Sequence, residues 1–196
     1  MKKLLMIALV VVVMAGCCTT SGSTVSNKPV VSKKQDKPTI PDKPTVPEKQ
    51  NAPTITTYRV TVNYALTLEQ MIQAGKYDAI NPDITESNFP VNVRDNGEVK
   101  VHLVPFDCIM KTDDVLVELN KQGLRPAELP ELLALGAQYP ELQRRFPIVA
   151  LGSVWQDPDR IRDVPCLYGR SSRRNLVLIH FHCGWGGSCC LLAVRK

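Results

Sequence analysis

Between Cys166 and Leu192 the chain has no Lys, Glu, Gln or Met, and from Cys166 to Lys196 it has no acidic residue. A charge-balanced solvated surface is therefore excluded there. The 108 positions from Tyr58 to Pro165 hold 20 residues of Lys, Glu, Gln, Met or Trp, so the 27 positions from 166 to 192 should hold about five; they hold one, Trp185. Those five types are the ones that a codon with two free bases and a pyrimidine third base cannot encode. The stretch reads as randomised codons threaded between a few retained apolar residues. Two further absences bound the chain. No apolar run reaches the roughly 20 residues that a membrane-spanning helix needs. Residues 19–57 contain no aromatic residue, so they lack the means to build a core.

The N-terminus has Lys2 and Lys3, an apolar run from Leu4 to Val13, and then Met14-Ala15-Gly16-Cys17. A charged start, a short apolar stretch and small residues before a cut describe a signal peptide over 1–16. The Ala-Gly-Cys ending resembles a bacterial lipobox. That resemblance implies that Cys17 is diacylated and becomes the new N-terminus. Cys rather than Asp at position 18 implies no retention at an inner membrane in a cell that has two. Residues 17–57 form a tether with a near-exact hexad repeat, Asp36-Lys-Pro-Thr-Ile-Pro41 and then Asp42-Lys-Pro-Thr-Val-Pro47. At about 3.1 Å per residue in polyproline II, such a stalk reaches on the order of 100 Å.

Residues 58–196 are long enough for one core of their own. Tyr58–Tyr64 and Gly97–Phe106 alternate with period two and read as strands. Leu68–Ala74 reads as a helix capped by Thr67 and stopped by Gly75, and Thr112 caps a helix over 113–122 that ends at Gly123. Pro130–Gln138 is a further helix. Ile148–Trp155 reads as a buried strand, and 176–181 and 189–194 as two more, with the Gly-rich 182–188 turning between them. Strands interspersed with short helices place the domain in the α+β class.

The stretch Leu124-Arg-Pro-Ala-Glu-Leu-Pro-Glu-Leu-Leu-Ala-Leu-Gly136 resembles a helix of C-type-lectin-fold domains related to formylglycine-generating enzymes. The order that follows is similar too: Val149-Ala-Leu-Gly-Ser-Val-Trp155, a loop, a Leu-x-Leu strand, an isolated Trp and Leu192-Ala-Val-Arg-Lys196. More narrowly, the chain resembles the variable proteins of diversity-generating retroelements, with Glu128 in place of the usual Thr and Leu191 where an aromatic residue is expected. In that family, error-prone reverse transcription at template adenines rewrites codons near the C-terminus. The resemblance implies a variable segment over 166–191. Its retained frame is Leu167, Leu176, Leu178, Phe181, Trp185, Leu192, Val194 and Arg195. The ligand-binding variable face is then Cys166, Tyr168, Gly169, Arg170, Ser171, Ser172, Val177, Ile179, His180, His182, Cys183, Gly184, Gly186, Gly187, Ser188 and Cys190.

Other chemistries compete for the same residues. His180, His182, Cys183, Cys189 and Cys190 offer zinc ligands, but at spacings unlike any paired Cys-x-x-Cys site. Cys166, Cys183, Cys189 and Cys190 are disulfide candidates in an exported protein, and adjacent Cys189 and Cys190 on a strand face opposite ways. Cys108 reads as a small core residue. His102 has no evident acid partner for a Cys/His pair. Asp157, Asp159 and Asp163 surround Pro158 and are interleaved with Arg160 and Arg162, which makes a turn a better account than calcium. The formal charge is +5, and residues 166–196 alone carry +5 from Arg170, Arg173, Arg174, Arg195 and Lys196. This basic end suits acidic glycans, nucleic acid or anionic surfaces, or is a solvated face. The expectation is a non-enzymatic, lipid-anchored protein of the cell envelope, exposed at the surface. It binds an extracellular protein or glycan, with no cofactor, no metal and no nucleic acid. The alternatives are an envelope enzyme of the formylglycine-generating-enzyme-like class and a structural envelope lipoprotein.

Overall fold

The computed structural model describes residues 54–170 and 172–196; the expected signal segment, Cys17, the tether as far as Pro53, and Ser171 lie outside the described residues. The first strand, β1 (Thr56–Val62), buries Val60 and Val62 and exposes Arg59 and Thr61, as its alternation requires. It pairs antiparallel with β3 (Gly97–Pro105), from Thr56 opposite Leu103 to Val62 opposite Gly97. Between them lie α1 (Leu68–Gly75) and the short β2 (Ala79–Ile80).

Helix α1 starts where the sequence places it. Thr67 Oγ1 accepts from the Gln70 N–H at 3.3 Å while Gln70 Oε1 accepts from the Thr67 N–H at 2.9 Å, a reciprocal cap. Its end differs from expectation. Gly75 is the last helical residue, and Lys76 takes the left-handed conformation at φ 49°. Glycine is needed at 75 for a close approach instead, because a Cβ there would lie 2.3 Å from the Tyr77 ring.

Helix α2 (Thr112–Lys121) carries Asp113 and Asp114 in its first turn and Lys121 in its last, each complementing the helix dipole. Gly123, at φ 69°, then reverses the chain. Thr112 is not the cap that was expected. Its hydroxyl donates to the Phe181 carbonyl and accepts from Trp185 Nε1 at 2.8 Å, so it ties the start of α2 to a distant turn.

The chain continues through β4 (Leu124–Pro126), α3 (Leu129–Gln138), α4 (Leu142–Arg145), β5 (Ile148–Val149), β6 (Trp155–Gln156), β7 (Arg162–Arg170), β8 (Arg173–His180) and β9 (Cys190–Arg195). The single strand expected over 148–155 is broken in two. At the break the Gly152 N–H bonds the Ala127 carbonyl at 2.9 Å. Strand β7 is the element that the sequence concealed.

Among the described residues the strands form one mixed sheet in the order β1-β3-β9-β5-β7-β8-β2, with β4 also on β9 and β6 also on β7. The pairs β2–β8 and β5–β9 are parallel and the others antiparallel. This is a mixed α+β fold built on a large sheet with few helices.

Side chains alternate across the sheet. Leu167, Leu176, Leu192 and Val194 face α1 and α3, where Leu68, Met71, Leu132 and Leu135 complete one buried cluster. Val149, Val164, Cys166, Leu191 and Ala193 face the other way. There Val115 and Leu119 of α2, with Phe181 and Trp185, make a second cluster. At α3, Glu131 is fully buried yet satisfied. Arg125 grips it through two bonds of 2.5 and 3.2 Å, and the Glu128 N–H donates to it at 2.7 Å. Such a pair fixes the turn between β4 and α3.

Candidate functional site

The second face is only partly covered by α2. Beyond the helix lies an open groove of about 400 Å³. Its floor is Val149, Cys166, Val177 and Ile179; one wall is Cys183, Gly184, Trp185 and Cys189, and Pro147 and Tyr168 close the end. Two facts of the backbone make it. The β7–β8 pairing sets Cys166 opposite Val177 and Tyr168 opposite Asn175, so all four share a face. The 181–189 turn is held over that face by Trp185, which is 2 % exposed, bonds Thr112 and exchanges backbone hydrogen bonds of 2.8 Å with Met110.

Six of the sixteen candidate variable positions line this groove: Cys166, Tyr168, Val177, Ile179, Cys183 and Gly184. Tyr168 is 36 % exposed, while Val177 and Ile179 are half-buried. Arg170 is exposed on the same face, two residues beyond Tyr168. His182 is exposed, and its Nε2 lies 3.0 Å from the Arg162 guanidinium. Ser172 is exposed in the β7–β8 turn and Ser171 lies outside the described residues.

The remaining positions are corrections to the expected single free surface. Gly169 faces the helices, and a Cβ there would come within 2.5 Å of the Gln143 carbonyl oxygen of α4. His180 also faces that side, at the sheet edge, with Nδ1 2.8 Å from Asp163. Gly186 is buried, its Cα too close to the Cys108 backbone to admit a side chain. Cys190 is buried on the helix side, where it borders a separate hollow with exposed Gly187 and Ser188. The period-two logic of a strand sends alternate residues to opposite faces, so a contiguous run cannot be one surface.

The cysteines are free thiols among the described residues. Burial pushes the Cys166 thiol up to about 12, helped by neighbouring Cys189, and burial pushes Cys190 up to about 11. Cys189 is raised in the same way. At neutral pH these groups stay protonated and act as apolar lining, not as nucleophiles. Cys108 was expected in the core and is exposed. It sits in the loop before α2, whose backbone pairs with the 181–189 turn through Met110 and Trp185.

Among the described residues no group of three His, Cys, Asp or Glu side chains is placed to hold a metal ion. His180 and His182 are engaged separately, with Asp163 and Arg162. Asp157 accepts from the Ile161 N–H at 2.7 Å and so closes the turn that the sequence indicated. His102 Nδ1 meets Thr57 Oγ1 at 2.9 Å rather than an acid.

Three residues of the groove face escaped the sequence reading. The Arg162 guanidinium lies over the Phe181 ring, 4.2 Å from its centroid, Arg173 is exposed opposite Arg170, and half-buried Asn175 stands opposite Tyr168. The Asn175 Oδ1 atom is buried and has no hydrogen-bond partner among the described residues. The available signal was register: once β7 is recognised, 162, 164, 166, 168 and 170 share one side. No family model, curated protein or solved structure matches this chain.

Proposed function

We propose that this chain is a lipid-anchored surface binding protein whose C-type-lectin-like domain presents a diversified receptor face on a Pro-rich stalk. One observation carries the reading. The compositionally odd segment 166–191 supplies most of the lining of an open apolar groove, and the retained apolar residues of the same segment go into the two cores. Leu167, Leu176, Phe181, Trp185 and Leu192 hold the scaffold, so the residues between them are able to change at little cost to the fold. The groove has the makeup of a binding site, with apolar walls, a half-exposed Tyr and no convergent carboxylates. On this reading Cys17 carries the lipid and the stalk holds the domain off the membrane.

Exchange of segments tests the proposal. A chimera with residues 166–191 of a second protein of the same kind on this chain's 1–165 scaffold should take that protein's ligand preference on cell-surface protein and glycan arrays. If preference follows residues 58–165 instead, the receptor-face reading fails. The neighbouring DNA gives an independent check: a near-copy of the 166–191 coding sequence, with adenines at the changing codons, beside a reverse transcriptase gene.

A further inference from the structure

We infer that the groove takes an acidic protein segment with an apolar centre, not a sugar, an assignment that rests on the receptor-face reading above. The floor of Cys166, Val177 and Ile179 offers no hydrogen bond to a sugar hydroxyl, whereas buried apolar side chains are what such a surface desolvates well. Both ends of the face are cationic. Arg162 stands four residues before Cys166 on β7 and Arg170 four residues after it, with Arg173 directly across from Arg170. Those arginines take part in no ion pair among the described residues. Arg162 is already positioned by Phe181 and His182, and guanidinium groups match carboxylates with paired bonds. No acidic side chain lines the groove.

Spacing agrees with the charges. From Arg162 to Arg170 is roughly 26 Å of strand, the length of about eight extended residues.

The test selects a phage-displayed library of random nonapeptides on the full chain held in phosphatidylcholine nanodiscs, with empty nanodiscs as the counter-selection. Enriched peptides should carry Asp or Glu at both flanks and aliphatic or aromatic residues at the centre. The Arg170→Glu, Arg173→Glu double variant should turn the preference at one flank to Lys or Arg and weaken the wild-type peptides at least tenfold by fluorescence anisotropy. Val177→Lys should remove the apolar centre from the selected sequences. Circular dichroism melts matching the wild type show that both variants fold. Enriched peptides without acidic flanks, or selections identical in both variants, overturn the assignment. So does binding of chitohexaose or maltohexaose that Val177→Lys abolishes, with no peptide enriched over empty discs. If the peptides fail while ligand preference still follows 166–191 in the chimera, the partner class is wrong and the receptor face stands. If preference follows 58–165, the receptor face itself is wrong.

Discussion

Arg174 lies inside the segment whose composition suggests free change, yet it is 8 % exposed and cannot be free. Its guanidinium donates to the Gly75 carbonyl at the end of α1 and to the Gly136 carbonyl of α3, both at 2.6 Å, and stacks over Tyr77 at 5.2 Å. One cation thereby serves the carbonyl ends of two helices. Arg174→Met should cost about 3 kcal/mol in denaturant melts, since two buried acceptors lose a charged donor. Arg173→Met, exposed one residue earlier, should stay within about 0.5 kcal/mol. In sequence the two arginines are indistinguishable; only the register of β8 separates them. The thiols make a second residue-scale prediction. Folded Cys166 and Cys190 keep their protons to about 12 and 11, against an ordinary value near 9. The unfolded chain releases those protons first, so their contribution to stability is complete below about pH 9 and declines as pH rises through 11 and 12. Melts in reducing buffer from pH 7 to 11 should show a plateau and then a fall. A Cys166→Ala, Cys190→Ala variant should show a shallower fall.

Elements were legible where one face is wet. Helices α1, α2 and α3 are legible through amphipathic spacing, and β1 and β3 through alternation, because each has a solvent side to mark the period; the one-turn α4 (Leu142–Arg145) is too short to carry such a pattern. Strand β7 has none over its middle: Val164, Pro165, Cys166 and Leu167 are all buried, which erases the alternation. Pro165 adds a false stop signal. It is tolerated because it sits between the β6 pairing, which ends at Asp163, and the β5 pairing, which begins at Cys166. Because the sequence conceals β7, it also conceals that the candidate variable segment 166–191 folds into two faces. Glycines at the two faces offer the test. Gly169→Ala drives a Cβ to 2.5 Å from the Gln143 carbonyl oxygen and into the Arg144 backbone, and should cost about 1–3 kcal/mol. Gly184→Ala meets only the side chain of Ile109, which is 83 % exposed and swings away. It should change stability by less than about 0.5 kcal/mol. Thermal melts of the two variants, compared with the wild type, decide between a packed glycine and a displayed one.

At the scale of the molecule, the proposal joins three parts: an N-terminus lipidated at Cys17, as its lipobox resemblance implies, a stalk and a domain. A groove that opens to solvent on one sheet face serves binding at a distance only if the chain is held at a surface by its other end. On the proposed reading Cys17 is the residue on which that depends, since the apolar run from Leu4 to Val13 is too short to span a membrane. The proposed anchor is therefore covalent, on Cys17. An acyl chain contributes about 0.8 kcal/mol per buried CH₂, so the two chains of a diacylglyceryl group hold the protein firmly where one chain would exchange. Cys17→Ser should abolish incorporation of radioactive palmitate and leave the protein uncleaved or released. Cys18→Ser should be labelled and should fractionate with membranes as the wild type does. The comparison separates acylation at a defined cysteine from thiol chemistry in general, because both variants lose one thiol of the same pair. Equal labelling of Cys17→Ser and wild type would remove the anchor from the proposal. It would leave the groove of 166–191 as the binding face of a protein tethered in some other way.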